Sequence, residues 1–440
     1  MSTLRWSRWP AAVGALLTLL AGPPASASTG VAGTTELSGI ACAMTQTCQT
    51  VGYEHPLDST TYEGVTVTAS GGTPGPVRYT AAAQDLSGIA CVTSSSCVAV
   101  GLSPARQGVV VPVTGGAFGS AQPVPGTAEL LVVTCPSASS CLAVGNSIDA
   151  GGVRRGVVVS LTSGVPGTPI VVAGTSELDG VACSSASACV AVGDNGSQGL
   201  FVPVTNGNPG SPQAVTGTST LLGVECSPAA SCVATGGWVD PSTGTSRGIV
   251  VTVSGATVGP VRKAAATSYL WAVACPGPTT CEAVGAGPRG AVAVPVRSGV
   301  PGTAERVSGA PVLWDVDCMD PTHCEAVGPG SADGVLVTLA VTPASTSMTL
   351  SSSSDPVPTG MAVKYVATVR PAPDGGTVSF SDGGSPIGTC SAVTVSSTGK
   401  AVCKVSYATA GSHTIGATYS GDANYSPSTS PTLTETVTAS

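Results

Sequence analysis

The chain has 440 residues, of which 9% are charged and 4% aromatic, and its formal net charge is −8 at pH 7. Gly, Pro, Ser, Thr, Val and Ala dominate, so a core must be built mainly from small and β-branched side chains, which favour strands over helices. The negative charge disfavours nucleic acid and anionic membranes as partners, because both attract basic proteins.

Residues 1–27 have the features of a secretory signal peptide. Arg5 and Arg8 precede the apolar stretch 11–21, and Ala25, Ser26 and Ala27 supply the small residues of a cleavage site. The apolar stretch is too short for a comfortable bilayer span, and no run of about 18 to 20 apolar residues follows it. We therefore expect cleavage after Ala27 and a secreted protein without membrane insertion. Loss of the two arginines takes its net charge from −8 to −10.

Seven copies of one phrase follow between Leu37 and Gly328. Each copy has an apolar strand that ends in Cys, five turn-prone residues, a second Cys, and a short run that closes on Ala-Val-Gly or a variant. Successive first cysteines lie 43 to 49 residues apart. This is the period of four-stranded propeller blades and is too long for one coil of a β-solenoid. The repeats therefore predict a seven-bladed β-propeller over residues 28–341.

The 16 cysteines indicate disulfides, because bridges persist outside the cytosol and an even count at regular spacing implies a framework. A zinc site would need shorter gaps and additional His or Cys ligands, so we expect no metal and no cofactor. The predicted pairs are Cys42 with Cys48, Cys91 with Cys97, Cys135 with Cys141, Cys183 with Cys189, Cys226 with Cys232, Cys275 with Cys281, Cys318 with Cys324, and Cys390 with Cys403.

Each repeat is predicted to contain four strands, which in the second repeat are 86–91, 97–100, 108–113 and 121–124, with Gly and Pro at the junctions. The seventh repeat stops after its third strand, at Val341. The segment 30–34, Gly-Val-Ala-Gly-Thr, resembles the ends of the fourth strands in other repeats. We therefore expect the N-terminal strand to complete the last blade and close the ring.

A linker at 342–347 leads to residues 348–440, whose short alternating strands are typical of a β-sandwich. Cys390 and Cys403 are predicted to lie on neighbouring strands of it. The segment 411–425, Gly-Ser-His-Thr-Ile-Gly-Ala-Thr-Tyr-Ser-Gly-Asp-Ala-Asn-Tyr, resembles the closing strands of bacterial Ig-like repeats of secreted and surface proteins. This resemblance implies a spacer or adhesion module. The predicted fold class is thus all-β, a seven-bladed propeller followed by an Ig-like sandwich.

The phrase Cys-x5-Cys-x-Ala-Val-Gly is similar to repeats of exported actinobacterial proteins with propeller-like blades. The resemblance covers residues 29–341 and transfers no activity, because a fold does not determine a function. The three histidines lie in different repeats or domains, and no nucleophile-elbow, zinc-helix, phosphate-loop or EF-hand motif is present. We therefore expect a protein that is not an enzyme.

Trp271 and Trp314 occupy the same position in adjacent repeats. The other repeats place Ser38, Ser87, Leu131, Asp179 and Leu222 there. On neighbouring innermost strands the two indoles can form a platform for a sugar ring or an apolar side chain. The alternative is that they fill gaps between blades.

The loops between the second and third strands are long in repeats one, three and five. We predict that they recognise a polar surface, although a tolerated surface insertion is the alternative. Their candidate binding residues are Tyr53, His55, Arg154, Trp238 and Arg247.

The connection into each of the first four blades supplies one acidic residue, and these are Glu36, Asp85, Glu129 and Glu177. Together they predict a partial acidic arc around the channel mouth that attracts a cation or a basic peptide. The alternative is a set of solvated rim charges.

These features favour a monomeric, secreted, non-catalytic binding or adhesion protein whose ligand is an extracellular carbohydrate or protein. A polysaccharide-acting hydrolase or lyase that uses carboxylates such as Glu36, Glu129 or Asp315 is a rival, and it requires two carboxyl groups roughly 5 to 9.5 Å apart. A purely structural envelope protein is a third possibility.

Overall fold

The computed structural model describes residues 26–43, 46–56, 60–226, 231–255, 257–277, 279–320, 322–341, 343, 345–373, 375–422 and 424–440. Most of the predicted signal peptide therefore lies outside the described residues. The regular structure of the described part consists of strands and one short 3-10 helix. It includes no helix with the length and hydrophobicity of a membrane span.

The repeat region is a series of antiparallel meanders. The N-terminal strand is β1 (Ser26–Val31). The first repeat contains β2 (Glu36–Ala43), β3 (Thr47–Glu54), β4 (Glu63–Ser70) and β5 (Thr73–Thr80). The second contains β6 (Asp85–Thr93), β7 (Ser96–Leu102), β8 (Gly108–Thr114), β9 (Ala117–Phe118) and β10 (Gln122–Val124). The third contains β11 (Glu129–Ser137), β12 (Ser140–Ile148), β13 (Arg154–Thr162), β14 (Val165–Pro166) and β15 (Ile170–Val172).

The fourth repeat contains β16 (Glu177–Ser185), β17 (Ala188–Asp194), β18 (Gly199–Thr205), β19 (Asn208–Pro209) and β20 (Gln213–Ala214). The fifth contains β21 (Thr220–Cys226), β22 (Ser231–Val239), β23 (Ser246–Ser254), β24 (Thr257–Val258) and β25 (Arg262–Lys263). The sixth contains β26 (Tyr269–Ala274), β27 (Thr280–Gly287), β28 (Gly290–Arg297), β29 (Val300–Pro301) and β30 (Glu305–Ser308). The seventh contains β31 (Asp315–Asp320), β32 (His323–Pro329) and β33 (Gly334–Ala340).

The innermost strands form a ring. In chain order they are β2, β6, β11, β16, β21, β26 and β31, each contacts the next, and β31 contacts β2. Buried apolar clusters lie between neighbouring repeats all around this ring. One of them joins Met319 and Leu336 of the last repeat to Leu37 and Ile40 of the first. On this basis we count seven blades within the described residues.

The N-terminal strand completes the last blade, as the sequence predicts. β1 is antiparallel to β33, with Ser28 opposite Val337 and Val31 opposite Gly334. Ser26 and Ala27 pair with β30 of the sixth blade. A cleavage after Ala27 would leave the residues that pair with β33 in place.

Two glycines recur in the repeats and fit the blade geometry, and the sixth repeat has Ala291 in place of the second one. A Cβ on Gly193, the last residue of an Ala-Val-Gly phrase, would overlap the backbone carbonyl of Glu177 on the innermost strand. At the start of the third strand, a Cβ on Gly199 would lie 2.6 Å from the hydroxyl of Thr218. That hydroxyl accepts the Gly199 N–H and donates to the Val215 carbonyl, at 3.1 and 2.7 Å. The repeat phrase therefore preserves backbone contacts within a blade.

The third strands are buried on both faces, as a blade between two others requires. Val157, Val158 and Val159 of β13 have no exposed surface. Small and β-branched residues thus fill the spaces between blades, with Phe201 among the few large side chains there. The composition of the chain suits this close packing of sheets.

All eight predicted disulfides are present, and the described residues include no free cysteine. In the repeats the bridged Cα atoms are 3.8 to 4.0 Å apart. One expectation is wrong: Cys390 does not lie on a strand but ends a short 3-10 helix, while Cys403 lies on a strand. The 3-10 turn brings Cys390 within bridging distance, at a Cα separation of 5.6 Å.

The C-terminal residues form two packed sheets. Their strands are β34 (Ser347–Ser352), β35 (Val357–Pro358), β36 (Ala362–Arg370), β37 (Thr377–Asp382), β38 (Ser385–Pro386), β39 (Val393–Thr394), β40 (Lys400–Ser406), β41 (Gly411–Tyr419), β42 (Ser428–Thr429) and β43 (Leu433–Thr438), with the 3-10 helix Gly388–Cys390 after β38. One sheet has the order β34-β36-β40, and the other has β35-β43-β41-β37-β38. Tyr365, Phe380 and Tyr419 are fully buried between them.

Candidate binding site in the propeller channel

The innermost strands enclose a cavity of about 970 Å³ along the ring axis. We call the end at which these strands begin the channel mouth. The loops between second and third strands lie at the same end, because Glu36 at the start of β2 pairs with Tyr53 near the end of β3. The cysteine hairpins lie at the opposite end of the strands.

The structure places seven of the predicted binding residues on the channel wall. They are Glu36, Tyr53, Glu129, Arg154, Glu177, Trp271 and Trp314. The predicted residues Asp85, His55, Trp238 and Arg247 do not line the cavity. The candidate set from the sequence therefore separates into a channel group and a peripheral group.

Two tryptophans on the sixth and seventh blades, Trp271 and Trp314, form what we call the aromatic wall, and Tyr269 packs beside them. The Trp271 and Trp314 rings meet edge to face, with centroids 4.7 Å apart and planes at 85°. Tyr269 lies 6.1 Å from Trp271 and packs over Gly237, where a side chain would collide with its ring. The edge-to-face arrangement leaves a corner and not one flat platform.

Acidic side chains of the third and fourth blades form the acidic wall, which comprises Glu129, Glu177 and Asp179. These blades lie across the ring from the sixth and seventh. Glu177 accepts hydrogen bonds from Arg154 at 2.9 Å and from the amide of Asn146 at 2.6 Å. Burial raises the pKa of Glu177 despite the nearby Arg154 guanidinium. Burial, followed by the charge of Glu177, raises the pKa of Asp179 well above its usual range.

A second acidic group lies nearer the cysteine end of the channel. Asp315 accepts the backbone N–H groups of Ile40 and Val316, both at 2.9 Å. Asp317 accepts those of Cys42 and Cys318, both at 2.7 Å. The two carboxylates therefore connect the last innermost strand to the first.

Burial is the main cause of raised pKa values in this second group. It raises the pKa of Asp315 to about 7 and that of Asp317 to about 6, although the backbone N–H donors oppose the shift. It raises the pKa of Glu225 to about 8, with a further contribution from the charge of Asp317. These groups hold protons near neutral pH more readily than exposed carboxyls do.

The predicted arc of four acidic residues around the channel mouth is wrong at Asp85. This residue begins β6 but is only 5% exposed, so it is a buried residue of the second blade and not a rim charge. Glu36, Glu129 and Glu177 keep their positions on the channel wall.

The loop assignment of Trp238 and Arg247 is also wrong, because both lie on paired strands of the fifth blade and face each other across β22 and β23. Trp238 packs against the core between the fourth and fifth blades, and the Lys263 ammonium lies 3.0 Å from its ring centroid. These contacts hold Trp238 outside the channel.

Tyr53 and Arg154, likewise predicted on loops, lie on strands β3 and β13. His55 follows β3 and stacks on the ring of Tyr62, with centroids 4.1 Å apart. Tyr53 also contacts Tyr62, at 5.7 Å. The first long loop thus carries an aromatic cluster beside the mouth.

Sequence reasoning missed three acidic wall residues: Asp179, Glu225 and Asp317. Asp179 occupies the repeat position of the two tryptophans, so an alignment of the repeats contains its signal. Glu225 and Asp317 stand directly before the first cysteine, where the other repeats have Ala or Thr. In the sequence, Glu225 and Asp317 could have been found as acidic side chains at a position where the other repeats have small ones.

Residues 348–438 match the family described as bacterial Ig-like domain (group 3). No curated protein matches the chain. Solved structures similar to it include the WD40 β-propeller domain of Doa1, with 11% identity and a TM-score of 0.47 over 72% of this chain and 96% of that one. Sqt1 from Chaetomium thermophilum has 15% identity and a TM-score of 0.46, with coverages of 70% and 83%. The propeller assignment rests on the sheet topology, and the C-terminal unit is a bacterial Ig-like domain.

Proposed function

We propose that this protein is secreted and acts as a non-catalytic binding protein that receives an extracellular carbohydrate or protein in the channel mouth. One observation carries the proposal: an open cavity of about 970 Å³ has an aromatic wall on one side and an acidic wall on the other. Concave sites with aromatic surface and a few converging polar groups are the usual form of ligand sites. The eight disulfides and the Ig-like domain support a role outside the cytosol.

The blades supply a rigid frame for such a site. Innermost strands fix the positions of Trp271, Trp314 and Glu177, and disulfides fasten the far ends of those strands. A preorganised wall loses little conformational entropy when a ligand binds. Recognition is therefore expected to depend on the wall side chains themselves.

The test is an array of extracellular glycans and secreted proteins, probed with the wild-type protein and with the Trp271→Ala/Trp314→Ala double variant. We expect the wild type to retain specific ligands and the double variant to lose them. Trp238→Phe is the matched control, because Trp238 lies outside the channel. A wild-type protein that retains nothing, or a double variant that keeps every ligand, would overturn the proposal.

A polysaccharide-acting hydrolase or lyase is the second candidate, and the raised pKa of Glu225 favours it, because general acids need such a shift. Asp315, one of the three carboxylates that the sequence suggested for this role, instead accepts two backbone N–H groups with its two oxygens. Incubation with polysaccharides should reveal new reducing ends or unsaturated products that disappear in Glu225→Gln if this candidate holds. Absence of product from all substrates would remove it.

A further inference from the structure

The charge balance of the channel wall points to a cationic ligand. Seven acidic residues line the cavity, and these are Glu36, Glu129, Glu177, Asp179, Glu225, Asp315 and Asp317. Arg154 is the one basic residue among the described residues of the wall, and Glu177 already binds it. Burial raises the pKa of five of these carboxyls, so at neutral pH a cation beside them favours their ionised form.

Three polar atoms of the wall have no hydrogen-bond partner among the described residues, and all belong to one repeat position. They are the Ser87 hydroxyl, Asp179 Oδ2 and the Trp314 indole nitrogen. All three residues line the cavity. Buried polar atoms are nearly always bonded in folded proteins, so three unbonded ones on residues that line the cavity mark side chains that gain a partner if they turn toward a ligand.

Asp179 and Trp314 together narrow the ligand further. A carboxylate favours ammonium and guanidinium donors, and an indole face attracts the same cations through its π electrons. Arginine satisfies both, because its planar guanidinium stacks on aromatic rings and forms paired hydrogen bonds to carboxylates. A neutral sugar would use the tryptophans but would leave the acidic wall without compensating charge.

The innermost strands also favour a peptide. Each innermost strand is the last strand of its sheet and pairs with one neighbouring strand only. Part of its backbone edge therefore faces the cavity. Such edges bind peptide backbones through main-chain hydrogen bonds. A protein segment can therefore use its side chain and its backbone in the same site.

We propose that the channel mouth binds a protein segment by taking one of its arginine or lysine side chains between Asp179 and the Trp271–Trp314 corner. This inference rests on the proposed binding function and specifies its ligand class. Burial and the charge of Glu177 raise the pKa of Asp179, and a cation placed beside it shifts that pKa back down. A cation beside Asp179 therefore favours its ionised form.

Tryptophan fluorescence gives a direct readout in the Trp238→Phe background. In the secreted chain, after cleavage at Ala27, the two indoles of the aromatic wall are then the sole tryptophans. The probe is N-acetyl-Gly-Arg-Gly-amide, titrated to about 10 mM, and its neutral control carries citrulline in place of arginine. We expect a saturable fluorescence change with the arginine peptide and an affinity at least about tenfold lower for the citrulline peptide.

Substitutions locate the site. Asp179→Asn should weaken the arginine peptide about tenfold or more, whereas Glu305→Gln, an equal loss of charge on the exposed outer strand β30, should leave its affinity unchanged. Because Asp179 Oδ2 has no partner, Asp179→Asn should melt at or above the wild-type temperature, so lost binding is not lost folding. Trp314→Leu is the second variant, and calorimetry measures its affinity for the arginine peptide.

Equal affinities for the arginine and citrulline peptides, an unaffected Asp179→Asn variant, or no saturable change would each overturn the inference. Binding of a glucosamine oligomer without binding of the arginine peptide would also overturn it, by assigning the channel to an amino sugar. The array experiment distinguishes these results from failure of the proposed binding function. If the wild type binds neutral ligands and the Trp271→Ala/Trp314→Ala variant does not, the binding function stands although the cationic ligand is wrong.

Discussion

Asp315 and Asp317 illustrate how single residues close the ring. The other innermost strands have Gly, Val or Ala where blade seven has Asp315, and Glu225 is the one other acidic residue at the position of Asp317. The two aspartates accept N–H groups of Ile40 and Cys42, which begin the ring. They therefore join ends of the propeller that are 275 residues apart in sequence.

We predict that Asp317→Ala lowers the free energy of unfolding by about 1–3 kcal/mol, because the N–H groups of Cys42 and Cys318 lose their acceptor. Asp317→Asn should lose less, since its amide oxygen still accepts one bond. Denaturant titration measures the change. The control is Asp333→Ala on a turn of the same blade, and an equal loss in that variant would contradict the closing role of Asp317.

Contacts between side chains were predictable where the same repeat position has the same role in neighbouring blades. Trp271 and Trp314 occupy equivalent positions on neighbouring strands, and the structure brings their rings into contact. The prediction of a rim charge was wrong for Asp85, because the residues around it resemble those around Glu36 whereas the fold buries it. Burial at a blade edge depends on neighbouring blades, which no local pattern describes.

Elements of the propeller follow a common plan in which each cysteine pair fastens the hairpin between the first and second strands. In five of the seven repeats the bridged cysteines are directly opposite in register, as for Cys183 and Cys189. Their sequence separation is six residues, compared with 13 for Cys390 and Cys403. A short loop has little entropy to lose in the unfolded chain, so each blade disulfide contributes modestly.

Removal of one blade disulfide, in Cys183→Ala/Cys189→Ala, should lower the free energy of unfolding by about 2 kcal/mol, and removal of the longer-range pair in Cys390→Ala/Cys403→Ala by about 3 kcal/mol. Denaturation midpoints of each double variant against the wild type give the values. A blade variant that cannot fold would show that the hairpin bridges do more than restrict the unfolded chain.

Strand positions were largely predictable, because Gly and Pro mark the turns and apolar runs mark the buried third strands. The third strand of the second repeat, for example, begins at Gly108, as predicted. The loops were harder. Trp238 and Arg247 extend β22 and β23 beyond the predicted strands, since cross-strand pairing continues wherever partners remain in register.

At the scale of the whole molecule, buried carboxyls make stability depend on pH. Burial raises the pKa of Glu282 and of Glu225 from 4.5 to about 8, and that of Asp315 from 3.8 to about 7. An acid with a raised folded pKa stabilises the fold fully below its unfolded pKa and loses that contribution as pH rises through the folded value. Stability should therefore decrease between about pH 4.5 and pH 8.

Thermal unfolding at a series of pH values between these limits measures this slope, which we expect to be negative. Glu282→Gln should flatten it at the alkaline end, because Glu282 is only 6% exposed and its ionised form is poorly solvated there. Glu63→Gln, at a partly exposed site, is the control and should keep the wild-type slope. A melting temperature that rises steadily with pH would refute this account of the carboxyls.

The channel exists only if the ring is closed, and the pairing of β1 with β33 adds an outer-strand closure to the contacts between β31 and β2. Thr34 adds to it, since its hydroxyl accepts the N–H of Gly334 at 3.2 Å and donates to the carbonyl of Val31 at 2.7 Å. Four other blades make this contact over 19 residues, as between Gly199 and Thr218. Between Thr34 and Gly334 the same contact joins residues that are 300 apart in sequence.

Amide hydrogen exchange of the native protein, read by peptide mass, tests this closure most directly. We predict that residues 28–31 exchange as slowly as those of β32 and β33, because they form the fourth strand of the same blade. Exchange of residues 28–31 at the rate of an unstructured peptide, with β32 and β33 still protected, would show that β1 does not complete the last blade and would contradict this closure of the ring.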